Sequence, residues 1–314
     1  MKPQADPKVD YAFKHVFGRE QSKPCLMSLV DAVLQPAADE RLVSLDLLNP
    51  FNDQEALDDK LSVLDIKARD QSGRQFNVEM QMLAFGAFRQ RALYYWSRLH
   101  QSQLRKGMGY HTLRPTIAIC FVDTPLFSEL ADHHLVFELR ERDHQTLFTD
   151  QLAVHILELS KFNKGVEELT TPLDIWLYFL RHAQELDADA LPRSLDMAEL
   201  RWAMGDLMMI TQSERDRERY ESRLKMQRDV YTALEEAREE GRVKGREEGR
   251  EKGREEGRAE GRAEGQVARI QSFQRLLRLD VTNWQELESL PNEELEGLAA
   301  RLEAELKRQL TNGS

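Results

Sequence analysis

The sequence predicts an α/β fold, a central sheet flanked by helices, followed by a helical region and a low-complexity charged tail with repeating glycines. Three observations lead there. Ser62 to Leu83, SVLDIKARDQSGRQFNVEMQML, holds two apolar-alternating runs around a polar turn that contains glycine. A stretch with helical spacing follows it directly. Beyond that, Arg114 to Asp123, RPTIAICFVD, is the β-branched, apolar run expected of a buried strand.

Taken in order, Asp6 before Pro7 is the expected N-cap of a first helix, Val9, Phe13, Val16 and Phe17 make its apolar face, and Gly18 stops it. A second helix covers roughly Ser22 to Leu34, ahead of Pro36. Alternation from Arg41 to Leu48 suggests a first strand, and Asn49 to Asp59, with Pro50, a polar loop. In the hairpin, a three-residue loop of Gln71, Ser72 and Gly73, with Gly73 left-handed, pairs Asp70 with Arg74. Counting back sets Asp65 opposite Glu79 on one face, about 5 Å apart at Cβ. Lys67 and Gln81 share that face by the two-residue period. A two-residue loop would put the acids on opposite faces, so the reading hangs on loop length.

From about Phe85 to Lys106, Phe88, Ala92, Tyr95 and Leu99 recur at helical spacing. Arg91, Arg98 and Arg105 form a stripe beside that face, and Gly107 and Gly109 end the helix. Ala153 to Leu159 reads as another strand. Pro172 to Ala188 and Asp196 to Leu234 read as helices that pack on the first domain, with Trp176, Tyr178 and Phe179 as core rather than a base-stacking platform. Gly241, Gly245, Gly249, Gly253, Gly257, Gly261 and Gly265 then recur every fourth residue between Arg and Glu. In a helix each costs roughly 1 kcal/mol against Ala, partly offset by Glu and Arg pairs. The segment is therefore either a solvated tether or a helix that forms where glycine faces let chains pack closely. Amphipathic character resumes at Phe273 to Leu279 and Leu287 to Leu306, as in a small oligomerisation or partner module. The expected domains are 1–165, a helical region at 166–234, the charged repeat at 235–268 and a helical module at 269–314.

A length of 314 residues with 41% hydrophobic content allows about two domains. The net charge of -11 taken alone argues against a nucleic-acid partner. Locally the balance reverses: no Asp or Glu occurs from Met80 to Val122, while Arg89, Arg91, Arg98, Arg105, Lys106 and Arg114 do. The opening residues lack a signal-peptide pattern and the longest tight apolar run, Ile117 to Val122, is too short to span a bilayer, so a soluble cytoplasmic chain without a membrane partner is expected. Cys25 and Cys120 sit in apolar surroundings and read as buried thiols. His133, His134 and His144 lack metal-ligand spacing.

Two carboxylates on one face of adjacent strands suit a hard cation such as Mg2+, which uses one or two carboxylates plus phosphate oxygens and would activate a water. The alternative is a pair of solvated strand acids, although like charges directly opposite destabilise a sheet. The residues D-Y-A-F-K-H-V-F-G, L-D-I-K-A and N-V-E-M-Q, in this order and spacing, resemble the PD-(D/E)XK nuclease superfamily, in its recombination-promoting nuclease branch often labelled as a transposase family. The resemblance covers roughly Asp6 to Lys161, and the tail is also similar to tails in that branch. It implies a restriction-endonuclease-like mixed sheet, with Asp65 as the metal-binding acid, Glu79 as the second acid and the Met80 carbonyl as a further ligand. Gln81 stands where most of the superfamily has Lys; it can orient water but brings no charge. Lys67 then either supplies the cation or snorkels as a structural lysine. Asp10 matches an additional acid of many members, or is a solvated helix residue.

Arg91, Arg98, Arg105 and Lys106 are the expected DNA-backbone contacts, or a solvated helix edge. The activity implied is a Mg2+-dependent DNA endonuclease of low sequence specificity, with Mn2+ or Ca2+ as in vitro substitutes, tied to recombination, mobile-element or defence biology. A homodimer or larger homo-oligomer assembled through the C-terminal region is expected. The alternative is a catalytically degenerate DNA-binding or assembly protein, and a strand-transferring transposase is a third reading.

Overall fold

The computed structural model describes residues 1–49, 65–82 and 86–312. The remainder of the expected polar loop after Asn49, and the hairpin positions 62–64 and 83, lie outside the described residues. The chain divides into two compact units, 1–231 and 232–314.

The first unit is built on a six-stranded mixed sheet in the order β1-β2-β3-β4-β6-β5. Its strands are β1 (Leu45–Leu47), β2 (Ile66–Asp70), β3 (Gln75–Gln81), β4 (Thr116–Val122), β5 (His134–Glu138) and β6 (Leu152–Glu158). The β1, β2 and β3 neighbours are antiparallel, β3, β4 and β6 run parallel, and β5 lies antiparallel on the β6 edge. The β3-to-β4 crossover carries α3 (Phe88–Ser102), as a parallel pair requires.

Both faces of the central strands are covered, which is why β3 is buried along nearly its whole length instead of alternating. One face carries Ile66, Ala68, Phe76, Val78, Met80, Ile119 and Phe121 into the main core. Helices α1 (Asp10–Phe17), α2 (Lys23–Leu34), α4 (Pro172–His182) and α5 (Ala198–Gln212) supply much of the rest of that core. Phe13 meets Phe121 at 5.8 Å and Phe17 meets Trp176 edge-on at 5.4 Å. Trp176 and Phe179 are fully buried, as expected of core residues. The opposite face is smaller: Ala118, Cys120, Val122 and Ile156 pack on Phe88 and Ala92 of α3. Both cysteines are free and buried.

Several boundaries move, each for a local reason. Helix α1 is capped by Val9, not Asp6, because Asp6 closes its own turn: its carbonyl accepts from Val9 N at 3.1 Å and its carboxylate from Lys8 N at 2.9 Å. Strand β1 is shorter than expected since Val43 N and Ser44 N donate to the side chain of Gln71 instead of to a strand. Helix α3 stops at Ser102 because the Gln103 amide binds both Arg114 N and Arg114 O, drawing the chain across to β4. Arg105 and Lys106 therefore lie beyond the helix, and the arginine stripe does not continue to Arg105. Helix α4 ends at His182, and the stretch expected as one helix from Asp196 breaks at the extended residue Ser213 into α5 and α6 (Glu214–Leu276). Strand β5 was not expected; its residues are exposed or half-buried on an edge and carry no burial pattern.

In the second unit, α6 continues helically through all seven glycines of the repeat, where an added Cβ would meet nothing within 4 Å. Val267 and Ile270 then pack with Leu287 of α7 (Trp284–Glu288) and Leu295 and Ala299 of α8 (Asn292–Asn312). No described helix is long and apolar enough to cross a membrane.

The turn that sets the hairpin register is the three-residue one: Asp70 N donates to Arg74 O at 3.0 Å, Gly73 has φ +88°, and Ile66 pairs with Val78. Gly73→Ala would force a side chain into the left-handed region with its Cβ 3.0 Å from Arg114 Cγ. It is expected to cost about 1–2 kcal/mol in urea unfolding, with Gly73→Asn costing less. An unchanged midpoint for the alanine variant contradicts this turn.

Candidate active site

The register places two acids side by side. Extending the Ile66 to Val78 pairing by one residue sets Asp65 opposite Glu79. The backbone around Asp65 is held by Asn49, whose amide donates to Asp65 O at 3.1 Å while its oxygen accepts from Lys67 N at 2.6 Å. Asn49 thus positions the first acid, a role not visible in a polar loop; the only local hint is that it closes a strand just before a proline.

Glu79 is 1% exposed and Asp65 9%. Among the described residues neither Glu79 oxygen has a hydrogen-bond partner beyond the weakly donating Cys120 thiol beside it. Burial lifts the Glu79 carboxyl from its ordinary 4.5 to about 7; the Arg91 guanidinium opposes this, Asp65 adds to it, and the Cys120 thiol beside it gives only weak relief. Cys120 faces Glu79 across β4 and is pushed well above the usual thiol range by burial and by that carboxylate. A buried acceptor without a donor is costly, and two acids together more so. That cost is met when both oxygens ligate a hard divalent cation, whose coordination asks for carboxylate oxygens plus water or phosphate. The residues present fit such an ion. Among the described residues no group of three His, Cys, Asp or Glu converges as a complete cage, so the pair would be completed by water, a backbone carbonyl or substrate.

The neighbouring polar groups divide in two. Lys67 Nζ lies 3.4 Å from Asp65 Oδ2. Gln81, half-buried at the end of β3, accepts from Arg91 Nη2 at 2.8 Å. Met80 sends its side chain into the main core, so only its backbone accompanies the acids. Asp10 is engaged elsewhere, its carboxylate accepting from Tyr11 N at 2.8 Å and lying 3.6 Å from Arg223 of α6. Burial raises its pKa and Arg223 counteracts. Of the expected DNA contacts, Arg91 is half-buried against the acids, Arg98 is exposed with its guanidinium 5.9 Å from the Tyr94 ring, and Arg105 and Lys106 are exposed after α3.

One further acid lies on this face. Glu158 pairs across with Val122 and is fully buried. Its Oε1 accepts from Leu126 N at 3.0 Å and Phe127 N at 2.9 Å, and the carboxylate is ion-paired to Lys161. It is a clamp for the loop after β4. On the β5 edge His134 and His155 share a 3.0 Å contact, with burial holding both below the usual imidazole range.

The sequence model of one protein family, described as PD-(D/E)XK nuclease family transposase, matches residues 7–237. No curated protein and no solved structure matches the chain. The matched span takes in the whole mixed sheet, the two facing acids and the helices that bury them, and the chain belongs to the PD-(D/E)XK nuclease family transposases.

Proposed function

We propose that this protein is a Mg2+-dependent DNA endonuclease of low sequence specificity, working in recombination, mobile-element or defence biology. PD-(D/E)XK nucleases generally use divalent metal ions and act on DNA. The observation that carries the reading is the buried Glu79 carboxylate, with no partner among the described residues stronger than the Cys120 thiol, facing Asp65. Asp65, Glu79 and the Met80 carbonyl would hold the cation, which when bound lowers the pKa of a water and neutralises charge on a phosphate. Gln81 would orient the attacking water by hydrogen bonding. Lys67 balances Asp65. The water oxygen bonds to phosphorus as the bond to the leaving sugar oxygen breaks; the water gives one proton to solvent, and the leaving oxygen takes one. Arg98, Arg105 and Lys106 would meet backbone phosphates without reading sequence. Asp10, paired with Arg223, would act indirectly, and residues 232–314 would assemble two or more copies so that both strands are cut.

The competing reading, a DNA-binding or assembly protein that has lost catalysis, draws on one feature, Gln81 in place of the usual lysine. Plasmid nicking separates the two. Wild-type protein is expected to nick in Mg2+ and to stop in EDTA, with Asp65→Ala and Glu79→Ala at least ~100-fold slower while still folded. Mg2+-dependent nicking by Asp65→Ala at the wild-type rate would falsify the site. Binding without nicking in wild type would favour the degenerate protein.

The same carboxylate carries a stability test. Its pKa is raised on folding, so its contribution is full below pH 4.5 and is lost as pH rises to about 7. Glu79→Gln removes that penalty. In metal-free protein it is expected to raise stability by about 3 kcal/mol above pH 7, shrinking toward zero near pH 4.5. A Gln variant less stable than wild type at pH 8 contradicts an unpaired buried carboxylate.

A further inference from the structure

Arg91 is an arginine with little to hold it where it is. It is half-buried in the first turn of α3, its Nε is buried without an acceptor, and it forms no ion pair with any described carboxylate. Its one side-chain hydrogen-bond partner among the described residues is neutral, the Gln81 oxygen at 2.8 Å. The Phe88 ring, 5.4 Å from its Cζ, supports it from its own helix. The Glu79 carboxylate lies within electrostatic reach but makes no ion pair with it, and a guanidinium withdrawn from water without a direct ion pair is unfavourable. Meanwhile Lys67, the other cation at the acids, is already paired with Asp65 at 3.4 Å. Lys67 is therefore the weaker candidate for meeting an incoming anion, and Arg91 is the cation left with donors to spare.

We propose that Arg91 binds the reacting phosphate, supplying from α3 the positive charge that Gln81 lacks on β3. This rests on the nuclease reading of the same site and assigns Arg91 to the phosphate that reacts instead of to the flanking backbone. Arginine stays protonated throughout, so it neither takes nor gives a proton. It meets a non-bridging phosphate oxygen, whose negative charge grows as the water adds and the sugar oxygen leaves, and charge stabilisation of that kind is strongest where solvent is excluded. Gln81 then has two tasks: its oxygen holds Arg91 Nη2, and its amide nitrogen, without a partner among the described residues, would meet water or phosphate.

The test uses the full chain, a fluorescent DNA duplex and supercoiled plasmid. Arg91→Met, Arg91→Lys and the double variant Arg91→Met with Gln81→Lys are compared with wild type, with Asp65→Ala as the control for the site. Anisotropy in EDTA reads phosphate binding without turnover. Arg91→Met is expected to bind about tenfold more weakly, with a salt slope lower by about one. Its nicking is expected to fall about 100-fold or more. Arg91→Lys should retain part of both, and Gln81→Lys on the Arg91→Met background should recover at least about tenfold of the nicking, by returning the charge from the strand. Wild-type binding and nicking by a folded Arg91→Met overturns the proposal. So does a loss of nicking with unchanged binding that Gln81→Lys does not recover, which would make Arg91 a mere support for Gln81. Nicking by Asp65→Ala at the wild-type rate would instead bring down the site, and binding without nicking in wild type the nuclease reading itself, so the failures are distinguishable.

Discussion

The Glu79 carboxylate, buried against a second acid and with no donor among the described residues stronger than the Cys120 thiol, is the constraint on which the rest of the sheet depends. Such a group persists only where the surrounding structure enforces it. Here the enforcement is the hairpin: a three-residue turn with Gly73 left-handed fixes the pairing, Asn49 holds the backbone at Asp65, and β4 covers Glu79 with Cys120. The main core on the other face, with Phe76, Val78 and Met80 locked among α1, α2, α4 and α5, makes a one-residue slip prohibitive, because it would exchange the apolar set for the acids. Stability is given up at the acids and recovered in that core.

Charge is arranged around the same point. Across the whole chain acids outnumber bases, yet the residues from Met80 to Val122 contain no acid. The α3 crossover that joins two parallel strands thus brings an arginine-bearing helix over the sheet face that carries the carboxylates. Arg91 meets Gln81, and Arg89 reaches the Leu126 carbonyl at 2.8 Å and stacks on Phe127. Arg98 remains at the surface. Burial divides one basic helix into residues turned to the sheet and residues left at the surface.

What the sequence made legible was local or periodic. The facing acids follow from a two-residue period and one glycine, and the buried Trp176 and Phe179 from a dense apolar run. What it hid was carried by side chains acting across distance. Gln103 ends α3 by binding Arg114, which takes Arg105 out of the stripe; Gln71 ends β1; Asn49 orients Asp65; and Arg223 engages Asp10. Strand β5 escaped notice because an exposed edge has no buried alternation to read. The Arg91 to Gln81 contact joins a strand end to the following helix, and no periodic rule links those positions.

The central claim is that Asp65 and Glu79 form one cation site. Its most direct test is titration of metal-free protein with Mn2+, followed by loss of the free-ion electron paramagnetic resonance signal at pH 7.5. A saturable site is expected in wild type and is lost in Asp65→Ala. Equal Mn2+ uptake by the two proteins would contradict it.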